Sequence, residues 1–165
     1  METRSNIFAT RESVEQVEEG DLLAPKFDAN GVIPCVTLHA ETKEVLMFAF
    51  MNEEALTLTI ETGLAHYWSR SRQKLWKKGE SSGMFQEIRR MLIDDDQDCV
   101  VIEVDLTEPT VGGQEASCHV GYRSCFYREV PIGSAGSAVR LHFVEEEKSF
   151  DPNAVYGDAP NPTQL

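Results

Sequence analysis

Three clusters in this sequence carry side chains that could do chemistry. The first is Asp94-Asp95-Asp96-Gln97-Asp98-Cys99. Asp94, Asp96 and Asp98 stand at i, i+2 and i+4, so in an extended chain they share one face. Carboxylates gathered on one face repel each other and suit a hard divalent cation such as Mg²⁺. The other reading is a charged, solvated turn. The EF-hand pattern is missing, because no glycine or closing glutamate follows in register. The second cluster is Cys118-His119-Val120-Gly121-Tyr122-Arg123-Ser124-Cys125. Its cysteines read as two buried thiols or as two metal ligands. A disulfide is disfavoured in a reducing compartment. A catalytic zinc takes three protein ligands and leaves a fourth position for water, so a third ligand must come from elsewhere. His119 could be that ligand, or a general base beside it.

The third cluster runs from Ser69 to Gly83, SRSRQKLWKKGESSG. Arginine forks grip phosphates in bidentate fashion, and backbone near glycine can approach a ligand closely. Trp76 could stack on a base or pack in the core. A phosphate-binding loop and a basic surface loop both fit this composition.

The charge balance sharpens the third cluster. The chain has 165 residues, with 15 Lys+Arg against 28 Asp+Glu and a net charge of −13. Residues 70–90 nevertheless hold seven cations against two carboxylates. Overall acidity argues against a protein that binds duplex nucleic acid by neutralising phosphates, while leaving room for a small anionic ligand. No apolar run reaches the roughly 20 residues of a membrane span. The first 24 residues are polar and lack an apolar signal core. Four cysteines are too few for a disulfide scaffold. A cytoplasmic protein with reduced thiols, no nucleic-acid partner and no membrane partner is the expectation.

These clusters must sit on elements. Residues 32–39 and 44–50 read as a strand pair around a turn at 40–43. Asn52 is a helix N-cap and Gly63 a helix stop, with Ala55, Leu56 and Ile60 at helical spacing. Strands are expected at 65–68, 85–93, 99–105, 125–130 and 139–144, and a short helix near 10–19. Residues 73–83 and 107–117 read as loops. The sum is one α+β domain, compact and strand-rich, with one or two helices. An N-terminal extension at 1–26 precedes a domain at 27–145, and 146–165 reads as an irregular tail.

Taken in order, FDANGVIP, EVLMFAFMNEEAL, ETGLAHYWSRSRQKLWKKGESSG, DDDQD and CHVGYRSCF resemble the phosphoribosyl-AMP cyclohydrolase family of histidine biosynthesis. The resemblance implies a metal-dependent hydrolase. Such an enzyme opens the adenine ring of 1-(5-phosphoribosyl)-AMP at N1–C6, giving the phosphoribosyl formimino aminoimidazole carboxamide ribonucleotide. It implies an intertwined homodimer with shared active sites, using zinc and magnesium. By position, Asp94, Asp96 and Asp98 match magnesium ligands, Cys118 and Cys125 match zinc ligands, and His119 matches a catalytic histidine. Arg70, Ser71, Arg72, Trp76, Lys78, Gly79, Glu80 and Ser82 match the substrate loop.

One departure stands out. The family usually has Asp-Cys-Asp-x-Asp, whose cysteine is the third zinc ligand, given to the partner's site. Here that position is Asp95. Cys99 follows four residues on, about 13 Å away in an extended strand. Leu38-His39 also stands where the family has Gln-Asp. The expected third ligand is therefore Asp95, with Cys99 or His39 as weaker candidates. A harder donor set favours zinc held less tightly, or another divalent ion such as Fe²⁺, Mn²⁺ or Co²⁺. Two other functions fit the motifs: a hydrolase or deaminase for another purine nucleotide, and a non-catalytic metal-binding protein of the same fold.

Overall fold

The computed structural model describes residues 6–133, 136 and 138–165. Its centre is a four-stranded sheet in the order β2-β1-β6-β5. β1 spans Val32–His39 and pairs antiparallel with β2, Val45–Asn52. β6, Val100–Leu106, runs parallel to β1 and antiparallel to β5, Gln86–Ile93. Pro34 lacks an N–H, yet it sits in a central strand. The β6 ladder begins only at Cys35 opposite Val100, so Pro34 stands beyond its end. The core lies on one face, with Ile33, Cys35, Leu46, Met51, Ile102 and Val104 among its buried residues.

A parallel pair needs a long crossover. Between β1 and β6 the chain supplies β2, then α2 (Glu53–Thr62), then β3 (His66–Ser69), β4 (Lys74–Lys77) and β5. Asn52 caps α2 by accepting the Ala55 N–H at 2.9 Å, and Gly63 ends it in the left-handed conformation. Of the residues at helical spacing, Ala55 and Leu56 are buried and Ile60 is exposed, where an apolar side chain suits the inner face. Thr59 takes that place. Its hydroxyl donates to the Ala55 carbonyl at 2.8 Å and accepts the His66 N–H at 2.9 Å, fastening the helix to β3.

Four further expectations are corrected. Residues 73–83 are not all loop, because β4 pairs with β3. Trp76 packs on buried Tyr67 with ring centroids 5.3 Å apart, and polar neighbours hide this short strand in the sequence. The strands expected at 125–130 and 139–144 shrink to β7 (Arg128–Glu129) and β8 (His142–Phe143). There, aromatic stacking of Tyr122 on Tyr127 at 4.0 Å takes over from a long ladder. Asp94 to Asp98 is a tight turn joining β5 to β6, not an extended stretch. Asp94 Oδ1 accepts the N–H groups of Asp98 and Cys99, and Gln97 is left-handed at φ 57°. Finally, the described residues form three helices, not one or two. α1 is Val14–Glu19, and α3, Pro152–Tyr156, lies in the tail expected to be irregular. Asp151 caps α3 and Phe150 is buried beside Met84 and Ala116.

The extension is also integrated. Buried Gln97 donates to the carbonyls of Val17 and Leu22 and accepts the Ala24 N–H at 2.8 Å. Arg11 donates to the carbonyls of Ala24 and Asp96. No helix among the described residues is long and apolar enough to cross a membrane.

Candidate functional site

A buried polar chain leads from the sheet to the second cluster. Thr37 Oγ1 meets the Tyr67 hydroxyl at 2.8 Å, and that hydroxyl donates to Gln86 Oε1 at 2.5 Å. Gln86 Nε2 donates to Ser117 Oγ at 3.3 Å, one residue before Cys118. The loop 117–125 is then closed by its own backbone. Ser117 N–H donates to the Arg123 carbonyl, and Cys118 N–H to that of Tyr122. Cys125 N–H docks on the Leu46 carbonyl of β2 at 2.7 Å. Glu145 accepts the N–H groups of Arg123 and Ser124.

This closure brings the thiols of Cys118 and Cys125 within hydrogen-bond reach of each other. Cys118 is buried and Cys125 lies at the surface. The hydrogen bond from Cys125 pulls the Cys118 thiol down to about 7, against a smaller opposing effect of burial. Cys125 is pushed up, chiefly by that same bond. The pair therefore readily carries one thiolate. Lys78 adds to this. It is only 5% exposed, and its ammonium favours thiolate at both cysteines. Burial in turn lowers the Lys78 pKa. In protein stripped of metal, one of four thiols is expected to ionise near pH 7, with thiolate growing above that pH and vanishing below it. Ultraviolet thiolate absorbance across pH should show this step. Lys78→Met should move it upward, and a chain whose thiols all titrate together near 9 would contradict the pairing.

His119 stands beside the pair. Burial lowers its pKa, the Asn161 amide opposes this, and the Lys78 charge lowers it further, so the ring is neutral at pH 7. Its Nε2 is buried without a hydrogen-bond partner. The Asn161 amide stands next to the ring without closing a bond to that atom.

His119 lines a cavity of about 560 Å³. Of the predicted loop, Arg72, Trp76, Gly79, Glu80 and Ser82 face this cavity. Arg70 does not line it, because its guanidinium lies 3.9 Å over the Phe50 ring. Ser71 sits outside it, its hydroxyl turned to Ser69 at 3.5 Å. Sequence reasoning missed the cavity's second wall, which α3 and residues 157–162 supply. Asp151-Pro152, a cap followed by proline, was the available signal for that helix.

The acidic turn forms a separate group. Ligand oxygens of Asp94, Asp95 and Asp96 lie within 4.8 Å of one another. Asp98 is pushed up by its hydrogen bonds to Asp94 and Asp96. Burial would raise Asp94, but the backbone N–H groups of Cys99 and Asp98 more than offset that and hold it down. Carboxylates this close fit a hard cation. Among the described residues this is the only group of three acidic, histidine or cysteine donors close enough to hold an ion. Asp95 therefore belongs to the acidic turn and does not join Cys118 and Cys125 within one chain. Cys99 sits half-buried on the same turn, its thiol pushed up by burial and the neighbouring aspartates. His39 is used locally. Its Nδ1 accepts the N–H groups of Glu41 and Thr42, and Nε2 lies 3.5 Å from Glu115. Among the described residues no third donor lies close enough to join the two thiols.

A strand-rich α+β domain with a cationic pocket, a neutral histidine and paired thiols defines a small-molecule enzyme. The profile of the phosphoribosyl-AMP cyclohydrolase family matches residues 47–127. A phosphoribosyl-AMP cyclohydrolase of Rhodopseudomonas palustris strain TIE-1 is 48% identical over 95% of this chain and 99% of its own length. One from Nitrobacter winogradskyi is 51% identical over 87% of this chain and 94% of its own. One from Methanococcoides burtonii is 52% identical over 82% and 98%. The chain belongs to the phosphoribosyl-AMP cyclohydrolase family. It is an enzyme, which sets aside the reading as a non-catalytic metal-binding protein.

Proposed function

We infer that the chain hydrolyses the N1–C6 bond of 1-(5-phosphoribosyl)-AMP, with divalent metal. The observation that carries this is that His119, which follows Cys118 of the thiol pair in the chain, lines the same cavity as Arg72, Lys74 and Lys77. Arg72, Lys74 and Lys77 on that wall give anionic phosphate its partners. Water delivers its oxygen to C6, and its protons go to N1 as that bond breaks and to the exocyclic nitrogen. Neutral His119, with Nε2 free and desolvated, is the group that takes and returns the proton. Cys118 and Cys125 would hold a transition metal, and Asp94, Asp96 and Asp98 would hold Mg²⁺. A transition-metal ion bound there supplies Lewis acidity that makes water nucleophilic at neutral pH.

The missing third donor supports a homodimer, with the partner subunit's Asp95 or the partner subunit's Cys99 completing the site. Exposed apolar groups offer a surface for this. Val45 and Phe48 lie on edge strand β2, and Phe126, Val130 and Phe143 lie near the β7–β8 ladder. Light scattering is expected to give twice the 18.5 kDa chain mass. A monomer with full activity would refute shared sites. Asp95→Ala and Cys99→Ala, compared by metal content, decide between the two donors.

The direct test is turnover of phosphoribosyl-AMP against AMP by chelated enzyme, restored metal by metal. Turnover of phosphoribosyl-AMP alone, recovered with a transition metal plus Mg²⁺, is the expected result. Preference for AMP would favour the reading as a hydrolase or deaminase of another purine nucleotide. Full activity after exhaustive chelation would overturn the metal assignment.

A further inference from the structure

Residues 148–162 form a strap that returns to the pocket from outside the domain's sheet. Two backbone bonds hold it: Gln114 N–H to the Ser149 carbonyl at 2.9 Å, and Ser149 N–H to the Gly121 carbonyl at 2.7 Å. Phe150 anchors it, 5% exposed, against Met84 and Ala116. Two glycines open the slot it enters. Gly113 has φ +114°, and a Cβ there would meet the Phe150 Cβ at 2.9 Å. Gly121 has φ +112°, and a Cβ there would meet the Phe150 carbonyl oxygen at 2.8 Å. Only a residue without a side chain suits both positions. The strap is therefore built into the fold.

Beyond the anchor it makes one whole wall of the cavity, through residues such as Asn153, Tyr156, Pro160 and Asn161. No strap residue facing the cavity carries a charge, whereas Arg72, Lys74 and Lys77 face it from the β3–β4 side. Tyr156 places its hydroxyl beside Ser82, and Asn161 places its amide beside His119. The two walls differ in the way a nucleotide's two ends differ. Phosphate suits cations, and a purine suits flat apolar surface with a few amides to read its edge.

The geometry points to the strap as a substrate-binding element: its uncharged wall holds the purine base against His119, and Asn161 is a specificity-determining group. This rests on reading the cavity as the nucleotide site. Asn161 would contact the base edge, while the β3–β4 wall takes the phosphate, so the two ends of the ligand should respond separately to substitution.

The experiment measures competitive inhibition of turnover by AMP and by ribose 5-phosphate, which lacks the base. Asn161→Ala in the full chain is expected to weaken inhibition by AMP, and raise KM, by about tenfold, as loss of one neutral hydrogen bond allows. Inhibition by ribose 5-phosphate should not change. Asn161 is exposed, so the thermal midpoint should hold. Gly113→Ala, which pushes on the strap from its anchored end, should show the same selectivity. Equal weakening of both inhibitors, or none, overturns the proposal. So does higher kcat/KM in either variant, which would make the strap an autoinhibitory cover. If the parent chain neither turns over phosphoribosyl-AMP nor binds AMP, the nucleotide reading itself fails. If the parent does both and the variants match it, only the strap proposal fails.

Discussion

Cys118→Ser is expected to remove turnover to the uncatalysed level while leaving the fold intact. The loop's shape does not depend on the sulfur. Cys118 N–H donates to the Tyr122 carbonyl, and the Cys118 carbonyl accepts the Gly121 N–H, both at 3.1 Å. Serine can keep both bonds and fits the space. What it lacks is a thiolate, because the Cys118 thiol ionises near 7 and a serine hydroxyl does not ionise in this range. Removing even an outer partner of a metal ligand costs about 10–100-fold in activity or affinity, so losing a ligand should cost more. Three measurements check this: kcat, transition metal per chain and thermal midpoint. Retained turnover with undiminished metal would dismiss Cys118 as a ligand. Lost turnover with a collapsed midpoint would mean that the residue is structural. Complementation of a histidine auxotroph should fail with the same variant.

Gln97→Leu is the substitution expected to cost most in stability outside the apolar core. Gln97 is buried at 5% exposure, and its side chain ties Val17, Leu22 and Ala24 to the acidic turn. Leucine would strand one N–H and two carbonyls. A buried polar group left without a partner costs about 1–3 kcal/mol. The backbone bond from Lys26 N–H to the Gln97 carbonyl survives, and water reaches part of the gap as residues 14–26 loosen. A net loss of about 3 kcal/mol in urea unfolding is the expected value. Residues 14–26 should also become the first proteolytic target. Because Arg11 holds the Asp96 carbonyl, Mg²⁺ should bind this variant more weakly than the parent. A stability change within 1 kcal/mol, with Mg²⁺ binding unaltered, would show that the extension and the turn are independent.

Both cases mark where sequence reading succeeds and where it stops. The cap at Asn52 and the stop at Gly63 were legible because helix ends are set by near neighbours. β1, β2, β5 and β6 were legible because apolar patterning at short range dictates a half-buried strand. The cysteine, aspartate and basic clusters were legible as chemistry because the residue types are rare enough in such groupings to mean something. β4 was not, since Lys74 and Lys77 flank only two apolar residues and the pairing partner lies across a turn. The tail was not, because one phenylalanine in a polar stretch signals nothing until its slot is known. Lys78 stood in the sequence among the substrate-loop residues, and only the packing shows it buried beside the thiols, because charge in a sequence has no direction.

The sequence by itself determined the chemical inventory: two thiols around a histidine, an acidic turn, a basic loop and the strands that carry them. Those follow from residue type and local periodicity. Only the tertiary structure decided how the inventory divides. It put Asp95 with the other aspartates and brought no third donor to the thiol pair among the described residues. It split the basic loop into pocket-facing and buried members, and it drew the strap across the cavity through two glycine positions. These are matters of side-chain direction and of packing between residues far apart in sequence. Local pattern has no access to them, because they depend on which distant surface fills the space.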